Sequence, residues 1–185
     1  MDLVRWSPTM GTIEVVNIRL AVVGDSRGIG LVHVRSWQAA YKGLVPEDYL
    51  DGLDPVQRGQ AWADYLSEGH QAGEAVFVAE ADSKVVGFAS VGPSRDEDAS
   101  AQGEVRAIYL LAEFWGRGLG RALMSAALES LPGSGFTEAT LWVLGTNERA
   151  RRFYEAAGLA PDGASKEDSS RGFPMTEVRY RRRLS

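Results

Sequence analysis

The chain has 185 residues, 44% of them hydrophobic, enough for one substantial core and too few for two ordinary domains. Its net charge of −5 and pI near 5.1 exclude a general nucleic-acid binder, which needs a basic face. With no cysteine, only two histidines (His33 and His70) and no HExxH-like spacing, disulfides, thiolate chemistry and a zinc site are set aside, and no metal is expected.

No run of about 18 apolar residues is present, so no membrane span is expected. The first residues carry Asp2 and Arg5 and lack a continuous apolar core, so they do not read as a secretory signal. A soluble cytoplasmic protein is the expectation, with residues 1–12 as a disordered extension and 13–185 as one domain. Residues 13–23 are rich in β-formers and read as an opening strand. GDSRGIG follows at 24–30, and a strand, G-x-x-x-G-I-G and a helix together match the dinucleotide pattern of a nicotinamide enzyme. Three features oppose that reading. No strand bearing an acidic residue follows about 20 positions on, no Tyr-x-x-x-Lys pair occurs, and the chain is short for that fold. The plainer reading is a helix running to about Tyr41, capped by Asp25 or Ser26, with Gly28 and Gly30 weakening its first turns.

Lys42-Gly43 supplies a stop for that helix. A short helix over 47–50 follows Pro46, and Asp54-Pro55 offers a cap and a first-turn proline for a helix to about Leu66 that buries Val56, Trp62 and Leu66. Residues 75–81 and 84–91 read as a hairpin turning at Asp82-Ser83. Residues 93–102 form an acidic loop whose Asp96, Glu97 and Asp98 could attract a cationic amine but are expected to be solvated. Residues 105–111 are a strand; Trp115 to Gly120, WGRGLG, packs three glycines into six residues; and from Leu119 apolar side chains recur at 119, 122, 123, 126, 127 and 131, the stripe of a helix with one buried face. Strand, glycine-rich turn and helix together form a phosphate cradle, because the turn's N–H groups and the helix dipole both favour an anion. Residues 137–144 read as a strand, and Asn147 caps a helix over 147–157 that stops at Gly158. Strands near 159–164 and 174–183 close the chain, and the arginines of the RYRRR run (179–183) are expected at solvent or at a subunit contact. There is no internal repeat.

This order of elements and two motifs resemble the GNAT superfamily of acetyl-CoA-dependent N-acetyltransferases, over nearly everything from Ile18 to Leu184. The family pattern Gln/Arg-x-x-Gly-x-Gly/Ala is matched by Trp115-Gly116-Arg117-Gly118-Leu119-Gly120, with Trp115 where Gln or Arg is usual. Downstream, LWVLGTNERARRFYEAAGL carries the expected Asn147, Tyr154 and Gly158, with Leu159 in place of phenylalanine. The resemblance implies an α/β (α+β) fold: a mixed, mostly antiparallel twisted sheet of about six or seven strands, about four flanking helices, and a splayed strand pair around the acyl-CoA site.

It also implies a function. Acetyl-CoA, as cosubstrate, would be gripped by the amides of Gly118, Leu119 and Gly120, with Arg117 and Arg121 adding charge, Asn147 a contact, and Trp115, Gly116 and Tyr154 also at the coenzyme. The main chain of Tyr109, Leu110 and Leu111 would pair with the pantetheine arm, the Leu110 N–H facing the thioester oxygen. Tyr154 would protonate the departing thiolate and Glu104 would take the proton of the amine, directly or through water. A phenol near its reference pKa of about 10 holds that proton at neutral pH. Trp37, Tyr41 and Tyr49 are the aromatics available for an acceptor wall, and His33 is a packing histidine. The acceptor is a primary amine of a small molecule, peptide or protein, attacked in a ternary complex; homodimerisation is left open. Two competitors stand beside this: a silent acyl-CoA sensor, and the nicotinamide enzyme built on 24–30.

Overall fold

A two-residue turn sets the register of half the sheet. Asp82 and Ser83 both take positive φ, 48° and 60°, the conformation whose twist suits a tight hairpin. It joins β2 (Ala75–Ala81) to β3 (Lys84–Pro93), as the sequence predicts, with β3 two residues longer than expected. The computed structural model describes residues 16–69, 71–97, 99 and 101–184. The expected 1–12 extension, the start of the opening strand, His70 and Asp98 lie outside the described residues.

Strand β1 (Val16–Leu20) pairs antiparallel with β2, and β4 (Gln102–Leu110) with the other side of β3. Then come β5 (Glu138–Leu144), β6 (Ala160–Asp168) and β7 (Met175–Arg183), giving a seven-stranded mixed sheet in the order β1-β2-β3-β4-β5-β7-β6. Only β4 and β5 run parallel. The helices are α1 (Ser26–Ala40), α2 (Glu47–Asp51), α3 (Pro55–Ser67), α4 (Leu119–Ser130) and α5 (Glu148–Ala156). Among the described residues, five helices and seven strands match the expected α/β class. None of the described helices is long and apolar enough to cross a membrane.

Neighbouring residues of a strand face opposite ways, so each strand packs two layers. Phe88 and Tyr109 meet His33 of α1, and Trp62 of α3 packs on Phe88. On the other face, Gly87 lies against Leu123 of α4 and Leu110 against Gly120 of the same helix. Ile29, Phe88, Leu123, Met124 and Tyr180 are at most 1% exposed. At about 25 cal/mol per Å² of apolar surface, each contributes on the order of 2 kcal/mol.

Four local readings change. Asp54 does cap α3, accepting from the Val56 N–H at 2.8 Å, but Val56 itself is 77% exposed and not buried as expected. Asp25 sits at the α1 cap position without capping it. Its carboxylate accepts instead from the Arg19 guanidinium (2.7 and 2.9 Å) and the Val22 N–H, and those hydrogen bonds hold it below the usual carboxylate range. The RYRRR arginines are not uniformly solvent-facing. Arg179 is 6% exposed, held by Asp96 at 3.0 Å and Asp162 at 2.8 Å, while Arg181 pairs with Asp162 and Glu138. Asp96 also accepts from Trp142 Nε1 at 3.0 Å, so one carboxylate of the acidic loop pins that loop to the sheet; Glu97 is exposed as expected.

Candidate functional site

Strands β4 and β5 are paired at three positions only: Gln102 with Glu138, Gly103 with Ala139 and Glu104 with Thr140. Beyond them the strands part. β4 stays bonded to β3 as far as Leu110, and β5 to β7 as far as Leu144, so the sheet opens as a V. Backbone groups facing such an opening need another partner. The Leu111 N–H donates to Val86 O across β3 at 2.9 Å. Alternation along the strand turns the Leu110 N–H and C=O the other way, toward the opening. There Leu110 O accepts from Trp115 Nε1 at 2.8 Å, which anchors the turn that follows.

A cleft of about 650 Å³ occupies the V, between β4, α4 and α5. The chain enters α4 through Gly116 and Gly118, at φ 76° and 84°. A Cβ at either would meet no protein atom within 4 Å, so backbone conformation and access from the cleft, not packing, call for glycine here. The α4 cap, Gly118, brings no side-chain acceptor, which leaves the first-turn N–H groups without intrahelical partners. Bare amides, a helix dipole and open space fit a diphosphate. The described residues contain no group of three side chains that could hold a metal.

Cations surround this end. Arg121 of α4 and Arg149 of α5 line the cleft, and the Arg149 guanidinium lies 3.2 Å from the centre of the Trp115 ring. Trp115 therefore does not leave the mouth without a cation. It holds one supplied by another helix, through a contact of about 0.5–2 kcal/mol. Sequence reasoning missed Arg149; the available signal was its place two residues after the Asn147 cap. Arg182 also lines the cleft but donates to Ala157 O at 2.7 Å.

Of the residues expected at the coenzyme, Tyr109, Leu110, Trp115, Gly116, Gly118, Gly120, Arg121, Asn147 and Tyr154 line this cleft. Leu111 and Leu119 do not; their side chains are core, at 7% and 6% exposure. Arg117 turns aside over the Phe114 ring, 5.3 Å from its centre. Asn147 caps α5, its Oδ1 accepting from the Ala150 N–H at 3.1 Å. Tyr154 reaches the cleft from the middle of α5, and its hydroxyl has no hydrogen-bond partner among the described residues. Burial, and then Tyr109 nearby, push its pKa well above the usual phenol value, so the proton is firmly held.

Glu104 is not brought to that cleft. It is 2% exposed at the root of the V, and Arg95 grips both its oxygens, Nη2 to Oε1 at 2.6 Å and Nε to Oε2 at 3.0 Å, while the Arg95 N–H adds a third bond at 3.2 Å. Charge-assisted bonds of this kind are the strong ones. Glu104, expected as the base, thus ties the segment carrying Arg95 to β4.

A second, smaller pocket of about 150 Å³ lies on the α1 side of β4. Trp37 and Tyr49 line it, as does His33; Tyr109 lines both pockets and forms the wall between them. Tyr41 lines neither. Its ring stacks 4.5 Å from that of Trp37, and burial raises its hydroxyl far above the usual range, beside those of Tyr109 and Tyr154. His33 Nδ1 accepts from Trp62 Nε1 at 3.3 Å, and burial, with Arg58 and Arg171 nearby, lowers its pKa to about 3. It is a neutral packing histidine that also faces the pocket.

Residues 34–159 match the acetyltransferase (GNAT) family. The chain is 38% identical over 143 residues to an uncharacterized N-acetyltransferase, YuaI, of Bacillus subtilis (strain 168), covering 77% of this chain and 79% of that one. It is 39% identical over 128 residues to an uncharacterized N-acetyltransferase of Archaeoglobus fulgidus, covering 68% and 83%. The fold is similar to that of PaiA N-acetyltransferase from Thermoplasma acidophilum in complex with coenzyme A, with a TM-score of 0.71 at 20% identity over 91% of this chain and 99% of that one. It is also similar to that of YncA from Salmonella typhimurium with acetyl-CoA, with a TM-score of 0.68 at 22% identity over 92% and 94%. The V-shaped opening with its glycine turn and the match over two thirds of the sequence lead to one conclusion: this chain is an acyltransferase belonging to the GNAT family.

Proposed function

We propose that the protein moves an acetyl group from acetyl-CoA to the primary amine of an acceptor by direct attack in a ternary complex. The observation that supports this is that Leu110, beyond the point where β4 and β5 part, lines the same cleft as the glycine turn into α4 and Tyr154. Acetyl-CoA supplies the thioester and leaves as the thiol. The amides after Gly116 hold its diphosphate, with Arg121 and Arg149 adding charge. The Leu110 N–H polarises the carbonyl, which is worth most in a site closed to water. The amine's proton passes to solvent water as the amide forms, Tyr154 gives its proton to the departing sulfur, and water returns one proton to the Tyr154 oxygen. Tyr154 is the general acid in this reading, and Glu104 steadies the loop carrying Arg95. Seating both partners in one opening removes much of the entropy cost of their meeting.

Thiol release from acetyl-CoA against a panel of primary amines tests the proposal. A panel with no amine-dependent release, despite calorimetric binding of coenzyme A, would support a silent sensor instead. Arg149→Ala is expected to weaken coenzyme A binding about threefold to tenfold, the scale of one partly exposed cation contact. Titration calorimetry reads this directly, and unchanged affinity would take Arg149 out of the cradle.

A further inference from the structure

The smaller pocket behind Tyr109 has a charge pattern of its own. Three arginines line it, Arg58 from α3, Arg106 from β4 and Arg171 from the loop between β6 and β7, and no carboxylate does. Arg106 is tied to Glu74 at 2.6 Å and to Pro93 O at 2.9 Å, yet its Nε is buried without a partner. Arg171 pairs with Asp168 and lies over the Trp37 ring, 5.2 Å from its centre. Arg58 is half-buried, and its side chain makes no ion pair or hydrogen bond among the described residues. His33, the remaining titratable group beside Tyr49 and Tyr109, is neutral.

Glu74 and Asp168 balance Arg106 and Arg171, so the uncompensated charge is that of Arg58, and a concave site lined by guanidinium groups and no carboxylate suits a planar anion. At about 150 Å³ it is too small for a nucleotide and large enough for a carboxylate with its adjoining carbon. Because Tyr109 is shared with the larger cleft, an anion seated here sits one aromatic wall away from the Leu110 edge.

Resting on the acetyltransferase reading, we propose that the acceptor is an amino acid-like amine, whose carboxylate is held by Arg58, Arg106 and Arg171 while its chain carries the amino group past the edge of Tyr109 to the thioester. Polyamines and other purely cationic amines are disfavoured, because nothing in the pocket balances their second charge.

The experiment pairs each amino acid with its decarboxylated amine in the thiol-release assay. For the best acceptor, loss of the carboxylate is expected to lower kcat/KM at least thirtyfold, mainly through KM. Arg58→Gln should shrink that ratio below threefold with the acetyl-CoA KM within twofold; Arg171→Gln serves as the second variant, and thermal unfolding checks that both fold. Decarboxylated amines used equally well or better would overturn the proposal. Calorimetric titration of the coenzyme A complex with an N-acetyl amino acid, against the same amide lacking the carboxylate, separates the two readings. Carboxylate-dependent binding without thiol release from any amine would sink the transferase reading and keep the anion site. Release without carboxylate preference would do the reverse, and absence of both would overturn both.

Discussion

Replacing Tyr154 by phenylalanine is expected to lower kcat at least tenfold while coenzyme A affinity changes less than twofold. The substitution removes one oxygen and keeps the ring, which packs 5.5 Å from Phe153 and 6.3 Å from Tyr180, so the helix should be undisturbed. What is lost is a proton donor facing the cleft. Proton transfer by a positioned side chain is typically worth about 10²–10⁴-fold, and water entering the cleft recovers part of that. The pH dependence has a definite sign. Burial raises the phenol's pKa, so the donor form persists as pH rises, and kcat of the wild type should show no alkaline fall below about pH 10. Rapid-quench rates and coenzyme titration test both parts. Equal kcat in the two proteins would remove the acid role, whereas a large change in affinity alone would make Tyr154 a binding residue.

The second large effect concerns folding. Gly30→Ala is expected to destabilise the protein by roughly 2–4 kcal/mol, the scale of a steric clash in a packed core. A Cβ at this position would lie 2.4 Å from the Gly59 N, 2.5 Å from its Cα and 2.7 Å from Pro55 O. All three are backbone, so nothing can rotate away, and α1 and α3 must separate. For a domain of this size that corresponds to a fall in Tm of roughly 5–15 °C. Gly24→Ala is the control, since a Cβ there meets nothing within 4 Å and its effect should stay within about 1 kcal/mol. If Gly30→Ala melts with the wild type, the close crossing of α1 and α3 is not what that glycine serves.

The same position shows how a motif can mislead. Residues 24–30 copy a dinucleotide pattern, but Gly28 lies against Val85 of β3 and Gly30 against Gly59 of α3. Glycine was required because two elements cross closely, a condition set by a residue 29 positions away. WGRGLG is equally glycine-rich, yet its Gly116 and Gly118 face open space at positive φ. Spacing alone does not separate the two cases.

Legibility followed the range of the interaction. Turn chemistry at Asp82-Ser83, the Asp54 and Asn147 caps and the apolar stripe of α4 are encoded within a few residues, so the sequence alone determined them and the order of elements. Glu104 and Arg149 depended on partners elsewhere. Arg95 claims the carboxylate, and the Trp115 ring fixes the guanidinium. Arg179 looked like an exposed strand residue until Asp96 and Asp162, 83 and 17 positions away, buried it. Only the tertiary structure decided which charges were already paired and which faced a pocket, because ion pairs and crossings between distant segments leave no local period in the chain.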